Sequence, residues 1–308
     1  MLGGGGFIGK HLSEALLQEG FEVRVFERPH LDMEEHLTLQ SRVEWVEGDF
    51  KNPADVLPAL DGCDWVFHLI STTLPKTSNE NPIYDLESNV VSTLRLLDLI
   101  VRPGSIRKLI YISSGGTVYG VPEATPIPES HPTNPRCAYG IGKLAVEKYL
   151  DLYRLLHGID YAVLRLANPY GEYQHPLATQ GVIPVFMYKA LNDEPIEIWG
   201  DGSVVRDYIY IGDAIRAMLK VMRHDGEARI FNIGSGRGTS LNVLVQVLED
   251  LLNRPVRRTF LPQRRFDVPV NVLDITRART VLDWEPLVTL EEGMERMLSN
   301  MRRDRAST

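Results

Sequence analysis

The segment Tyr139-Gly140-Ile141-Gly142-Lys143 sets a phenol and an ammonium four residues apart. On a helix those two positions share one face. A free phenol titrates near 10 and is a weak base at neutral pH; a neighbouring ammonium stabilises its phenolate and makes it a usable one. Among the 12 tyrosines only Tyr139 has a lysine four residues on. A second group of reactive side chains stands in Ser113-Ser114-Gly115-Gly116-Thr117-Val118-Tyr119-Gly120, which leaves the end of an apolar run. Its hydroxyls suit hydrogen bonding to a substrate alcohol beside Tyr139. A third element is Gly3-x-x-Gly6-x-x-Gly9 at the start of a helical pattern. Glycines there let the backbone approach a pyrophosphate, and the helix start supplies N–H donors and a positive dipole. About 20 residues on, Glu27 closes the next strand, where a carboxylate binds the hydroxyls of an adenosine ribose and repels a 2′-phosphate. That favours NAD over NADP, a preference that Arg28 weakens. Asp49, closing a further strand, is placed to reach the adenine.

The elements that must position these groups alternate in period. Lys10–Glu19 reads as an amphipathic helix stopped by Gly20. Short strands are expected at Glu22–Phe26 and Val43–Val46, and a continuous apolar strand at Asp64–Ile70. A long helix is expected over Pro82–Ile100, a strand at Lys108–Ile112, a second long helix over Arg136–Leu156 and a strand at Tyr161–Leu166. Such alternation specifies an α/β fold built on a doubly wound parallel sheet. After Asn168 loops become frequent, with helices expected at Leu241–Leu252 and Leu290–Met297. The expected division is a dinucleotide-binding domain over 1–168 and a smaller C-terminal substrate domain over 169–308, with part of 205–236 returning to the first. Almost nothing precedes the glycine turn, where a buried strand belongs. The first strand therefore reads as truncated, through a misassigned start or a missing segment.

Composition narrows the function. The 308 residues carry 33 Lys+Arg against 41 Asp+Glu, a net charge of −8, which disfavours a nucleic-acid or anionic-membrane partner. No apolar run approaches the roughly 18–20 residues of a membrane helix. The two cysteines, Cys63 and Cys137, lack metal-site spacing, and no metal is expected. No signal-peptide pattern opens the chain, so a cytoplasmic location is expected.

With these motifs, the chain resembles the extended short-chain dehydrogenase/reductases of the NAD-dependent nucleotide-sugar epimerase/dehydratase family, above all its 4-epimerases of UDP-hexoses. The resemblance runs from Gly3 to about Trp284 and implies a Rossmann-like fold. It implies that Gly3, Gly6, Phe7, Ile8, Gly9, Glu27, Arg28, Asp49, Phe50, Leu69 and Ser113 bind NAD together with Tyr139 and Lys143. It implies that Tyr139 and Lys143 are the catalytic pair. It places Asn89 near the nicotinamide side and Asn168, in Ala167-Asn168-Pro169-Tyr170-Gly171, on the substrate. Arg206 and Arg264 match arginines on the nucleotide diphosphate, for which a planar guanidinium fork is suited. Asn271 falls near the C2 substituent of the sugar, where a small amide side chain leaves room for an acetamido group.

The departures are specific. The family's catalytic Ser or Thr aligns with Gly115, so Thr117 or Ser114 is expected to take its place. The acidic residues of the dehydratases are absent at Gly116 and Thr117, which argues against loss of a hydroxyl, a step that needs a general acid. Ser71-Thr72-Thr73 stands where some epimerases carry a substrate-side lysine. The expected activity is NAD-dependent epimerisation at C4 of a UDP-hexose or UDP-N-acetylhexosamine, through a transient 4-keto sugar. An NAD(P)H-dependent nucleotide-sugar reductase is the first alternative and a non-catalytic dinucleotide sensor the second. The two long helices resemble the family's dimer-forming pair, so a homodimer is expected.

Overall fold

In the computed structural model, which describes residues 1–29, 37–101, 106–174, 181–262 and 268–306, the apolar runs become neighbouring strands. Strands β1 (Arg24–Glu27) and β2 (Glu44–Glu47) pair in parallel. Strands β3 (Trp65–His68), β4 (Lys108–Ser114) and β5 (Tyr161–Leu166) lie side by side. Leu2 joins the two groups, with parallel bridges to Phe26 of β1 and His68 of β3. Its backbone completes the link: Leu2 N–H donates to Phe67 O, and Leu69 N–H donates to Leu2 O, both at 2.9 Å. The place of the expected first strand is thus held by Leu2, itself 2% exposed in the core. Buried on both faces, β4 and β5 show no polar alternation, as a sheet covered by helices requires.

The chain divides into two units. The first holds Met1–Gly120, Pro132–Arg165 and Ile215–Phe231; the second holds Val121–His131, Leu166–Ala214 and Asn232–Thr308. Three further strands, β6 (Asn168–Tyr170), β7 (Ile196–Trp199) and β8 (Val205–Tyr210), follow in the second unit. They precede β9 (Ile230–Ile233), which extends the first sheet to the order β3-β4-β5-β9. The core of the first unit gathers Phe26, Leu97, Leu109, Val146, Leu150 and Val163. In the second unit β8 is the hub: β6 pairs with it in parallel, and β10 (Gly238–Ser240) pairs with it antiparallel. β11 (Arg258–Leu261) pairs with β7, and β12 (Val270–Asn271) with β8.

Two helical segments differ from the expected single rods. The stretch from Pro82 to Val101 is helical throughout, but Leu86–Val91 is wound as a π-helix. Such a widened turn often sits at a functional position, and this one carries Asn89. The C-terminal helix runs from Leu290 to Ala306, beyond the expected end at Met297. The second long helix forms as expected, over Ala138–His157, and Gly158 ends it in the left-handed conformation.

Candidate active site

The glycine turn opens the helix Phe7–Gln18, and Gly6 caps it without a side chain. A Cβ at Gly9 would lie 2.4 Å from Gly4 O, so only glycine lets the helix pack on the turn. Gly6 is the reverse case: a Cβ there would meet nothing nearer than Gly3 O at 3.8 Å, so this face is open. Helix geometry leaves the N–H groups of Phe7, Ile8 and Gly9 without intrahelical acceptors. An open backbone face with outward N–H groups fits a pyrophosphate. Glu27 stands against the turn and accepts from Gly5 N–H at 3.1 Å and from Arg28 N–H at 3.1 Å. Asp49 is exposed and pairs with Lys51 at 3.5 Å. Leu69 continues from β3 beside Leu2. Phe50 departs from the expected role: it is buried in the core with its ring 5.1 Å from that of His68.

Tyr139 and Lys143 occupy the first turns of the helix Ala138–His157. Cys137 gives this helix no side-chain cap; Asn79 Oδ1 and Ser78 Oγ accept instead from Ala138 N–H and Tyr139 N–H, at 2.9 and 3.0 Å. The Lys143 ammonium lies 5.5 Å from the centre of the Tyr139 ring and 4.8 Å from that of Tyr111, and donates to Ile112 O at 2.8 Å. Burial holds its pKa down to about 8, while the Asp85 and Glu147 carboxylates oppose that fall. Burial pushes the Tyr139 phenol up to about 12, and only a hydrogen bond with Ser71 pulls the other way. The main cause is burial, because a desolvated phenol disfavours ionisation.

The hydroxyl cluster separates into three roles. Ser113 Oγ donates to Glu147 Oε1 at 2.5 Å, so its hydroxyl faces the interior and is not brought to the cofactor site. Thr117 Oγ1 is buried without a hydrogen-bond partner, in the turn closed by Thr117 N–H to Ser114 O. Ser114 is half-buried beside it. A buried hydroxyl left unpaired costs about 1–3 kcal/mol, so Thr117 is poised for a ligand's hydroxyl. The turn hangs from Tyr119, whose hydroxyl accepts from Arg165 Nη1 at 3.0 Å. Arg165 also grips Glu147, with Nη2 to Oε2 at 2.6 Å.

Asn89 is committed to the protein. Its Nδ2 donates to Asp85 Oδ1 at 3.1 Å and its Oδ1 accepts from Thr72 N–H at 3.0 Å. It therefore fastens the loop after β3 to the π-helix, a role its place in the resemblance did not show.

In the second unit a cavity of about 380 Å³ is lined by Asn168, Phe186, Lys189, Trp199, Arg206 and Tyr208, among others. Flat rings beside a lysine and an arginine suit a base and its phosphates. Asn168 Nδ2 donates to Asp207 O at 2.8 Å, and Arg206 Nη1 to Val268 O at 2.6 Å. Under them the fully buried Asp207 carboxylate accepts from Ser235, Gly236 and Leu273, which fixes the end of β8. Asn271 pairs with Arg206 across β12 and β8 but is 1% exposed, so the structure does not bring its side chain to the cavity wall. Arg264 lies outside the described residues. Sequence reasoning missed Ser71, Asp85, Trp199 and Tyr208. Of these, Asp85 alone had a signal, standing four residues before Asn89 on one helical face. Among the described residues no cluster of His, Cys, Asp and Glu could hold a metal ion, and no helix is long and apolar enough to cross a membrane.

A family model described as NAD dependent epimerase/dehydratase matches residues 1–234. The chain belongs to that family. The family's cofactor is NAD, and the open glycine turn with Glu27 beside it fits this cofactor. The chain is similar to the UDP-glucose 4-epimerase of Mycolicibacterium smegmatis, 35% identical over 305 residues, covering 97% of each chain. It is also similar to the dTDP-4-dehydro-6-deoxyglucose reductase of Escherichia coli, 33% identical over 308 residues, covering 97% of this chain and 96% of that one. Among solved structures, the UDP-glucose 4-epimerase of Thermotoga maritima with UDP-glucose superposes with a TM-score of 0.93 at 34% identity. It covers 99% of this chain and 98% of that one. An NAD-dependent epimerase/dehydratase with this doubly wound parallel sheet is an enzyme acting on nucleotide sugars.

Proposed function

We propose that the protein is a nucleotide-sugar 4-epimerase that inverts C4 of a UDP-hexose or UDP-N-acetylhexosamine through a 4-keto sugar. The observation that carries this is the intact pair of Tyr139 and Lys143 at a site with no acidic side chain at positions 116 and 117. Bound NAD supplies the hydride acceptor, and later the donor, at the sugar C4, together with a positive charge that favours ionised Tyr139. The Tyr139 oxygen takes the proton of the 4-hydroxyl as the C4–H bond breaks, and gives it back when the ketone is reduced from its other face. Lys143 holds its ammonium under the Tyr139 ring and binds the nicotinamide ribose. Thr117 Oγ1 gains the partner it lacks by hydrogen bonding the sugar. Gly116 and Thr117 offer no carboxylic acid where the dehydratases carry theirs, and a departing hydroxyl needs such a proton donor, which argues against dehydration. Asn168 and Arg206 hold the nucleotide in their cavity, and UDP is the nucleotide the M. smegmatis and T. maritima proteins support.

The E. coli reductase supports a second reading, reduction of a 4-keto sugar with consumption of cofactor. Denaturing the purified protein and identifying the released nucleotide, then offering UDP-glucose without added cofactor and, separately, a UDP-linked 4-keto sugar with NADH, separates the two. Formation of UDP-galactose with the NAD recovered unchanged supports the epimerase. One oxidised NADH per 4-keto sugar consumed, with no C4 inversion, supports the reductase.

A further inference from the structure

Successive side chains of β4 alternate between its two faces, so Tyr111 and Ser113 point the same way. Two residues along a strand span about 6.6 Å and four along a helix about 6 Å. The pair on β4 therefore keeps step with Lys143 and Glu147 on the helix Ala138–His157, and the contacts follow that step. Ser113 Oγ donates to Glu147 Oε1 at 2.5 Å, and the Lys143 ammonium lies 4.8 Å from the centre of the Tyr111 ring. The same ammonium donates to Ile112 O at 2.8 Å and stands 5.5 Å from the centre of the Tyr139 ring. Two aromatic rings thus flank it, one from each element. Tyr111 and Lys143 are both buried, and a cation over a ring is held most strongly where water is excluded.

Tyr111 is itself backed by rings. Its neighbour in register on β3 is His68, with ring centres 5.3 Å apart, and the Phe50 ring lies 5.1 Å beyond. Thr93 Oγ1 gives its one proton to Asn89 O at 2.6 Å, so His68 Nε2 is the donor in its 2.8 Å contact with Thr93 Oγ1. His68 Nδ1 is buried without a partner, and burial holds the ring's pKa down to about 3, so His68 sets no second positive charge behind Tyr111. Burial also pushes the Tyr111 phenol well above its ordinary range, so Tyr111 offers Lys143 a ring face and not a counter-charge. We infer that Tyr111 is a positioning residue that holds the Lys143 ammonium by its ring face, beside the Ile112 carbonyl and the Tyr139 ring, with His68 and Phe50 backing it. This rests on the reading of Tyr139 and Lys143 as the catalytic pair.

Among the described residues, the titratable groups that face Lys143 are Tyr139 and Glu147 on its own helix, Asp85 at the end of the segment Pro82–Asp85, Tyr111 on β4 and His68 on β3. Both carboxylates are engaged elsewhere. Glu147 is gripped by Arg165 and Ser113, and Asp85 accepts from Thr73 and Asn89. An ammonium has three N–H donors, of which the Ile112 carbonyl takes one. A ring face attracts the cation as a whole without accepting a particular N–H, so Lys143 stays charged beside Tyr139 and keeps donors for the hydroxyls of a nicotinamide ribose.

The test reads the titration of Lys143 itself in the NAD-loaded protein, by NMR of isotope-labelled lysine Cε, with the Lys143→Met spectrum identifying the signal. Tyr111→Leu is expected to move that titration to lower pH by about one unit, a roughly tenfold weaker hold on the proton. Tyr111→Phe keeps the ring and is expected to titrate as the parent does. Leucine also alters the packing, so a ring-fluorinated phenylalanine introduced at position 111 supplies the closer comparison. It has nearly the shape of phenylalanine, but fluorine draws electron density from the ring face, and the titration is expected to move in the direction of Tyr111→Leu. A fluorinated ring that leaves Lys143 titrating as in Tyr111→Phe overturns the inference, and so does a Tyr111→Phe protein that shifts as far as Tyr111→Leu. Because this readout needs no sugar, it stands or falls separately from the proposed reaction: failure of every UDP-sugar to react would sink epimerisation and leave the Lys143 titration intact.

Discussion

Removing the guanidinium of Arg165 is expected to cost stability first and activity through it. Arg165 and Glu147 are both 3% exposed. Arg165 Nε lies 3.2 Å from each oxygen of Glu147, and Nη2 lies 2.6 Å from Oε2. Glu147 holds the pKa of Arg165 up against the desolvation that would lower it. Arg165→Met fills similar volume but leaves Glu147 with Ser113 as its remaining hydrogen-bond donor. Breaking one side of such a pair costs about 3–5 kcal/mol, because a buried charge is left uncompensated. At about 2–4 °C per kcal/mol, the melting temperature falls by on the order of 10 °C. Urea unfolding followed by circular dichroism at neutral pH measures the loss in stability. The double variant Glu147→Met with Arg165→Met is expected to recover most of the loss, since neither member of the pair is then left as a lone buried charge. A single variant within about 1 kcal/mol of the parent at neutral pH would refute the reasoning.

Tyr139→Phe is expected to retain NAD while kcat falls about 10²–10⁴-fold, the usual worth of a positioned general base, and turnover within a few-fold of the parent excludes Tyr139 as the base. Lys143, held down to about 8 in the fold against 10.5 for an ordinary lysine, binds fewer protons folded than unfolded across that window. Stability should accordingly rise from pH 8 to 10.5, and Lys143→Met should flatten that rise in chemical unfolding. His68, buried and held down to about 3, acts in the acid range: stability falls as pH drops below 6.5, and His68→Gln should lessen the fall. Ile83, Leu86, Leu152 and Leu156 are exposed on the two long helical segments, and we propose that two copies pair there. Light scattering should show a dimer for the parent and a monomer for Leu152→Glu with Leu156→Glu, and a monomeric parent contradicts that pairing.

The legible parts of this molecule are the local ones. The glycine turn, the Tyr139–Lys143 spacing and the alternation of strand and helix depend on neighbours within about twenty residues. The sequence carries them openly. Glu27 closes its strand against the glycine turn, a position that the strand pattern alone already marks. What stayed hidden depends on topology. Ser71 and Tyr139 are 68 residues apart, and nothing local says that a loop after β3 meets the first turn of the catalytic helix. Asn89 looked free to serve a ligand, since no spacing reveals that a π-turn delivers it to Thr72. The resemblance placed Asn271 near the sugar's C2 substituent, and no local pattern shows that a two-residue strand against β8 buries it. Arg165 did leave a trace: an arginine inside the apolar run Tyr161–Leu166 calls for a buried partner. Glu147, one turn beyond Lys143, answers it. Spacing reports the presence of an ammonium beside Tyr139 but not the desolvation around the phenol, which pushes its pKa up.

The central claim is that one hydride leaves C4 and returns to C4 of the same sugar while Tyr139 carries the proton. UDP-glucose deuterated at C4, incubated with the NAD-loaded protein in ordinary water, tests it most directly. UDP-galactose with the deuterium retained at C4, and no net change in the cofactor's redox state, is the expected result. Deuterium lost to solvent, or replaced by hydrogen from added NADH, would contradict it.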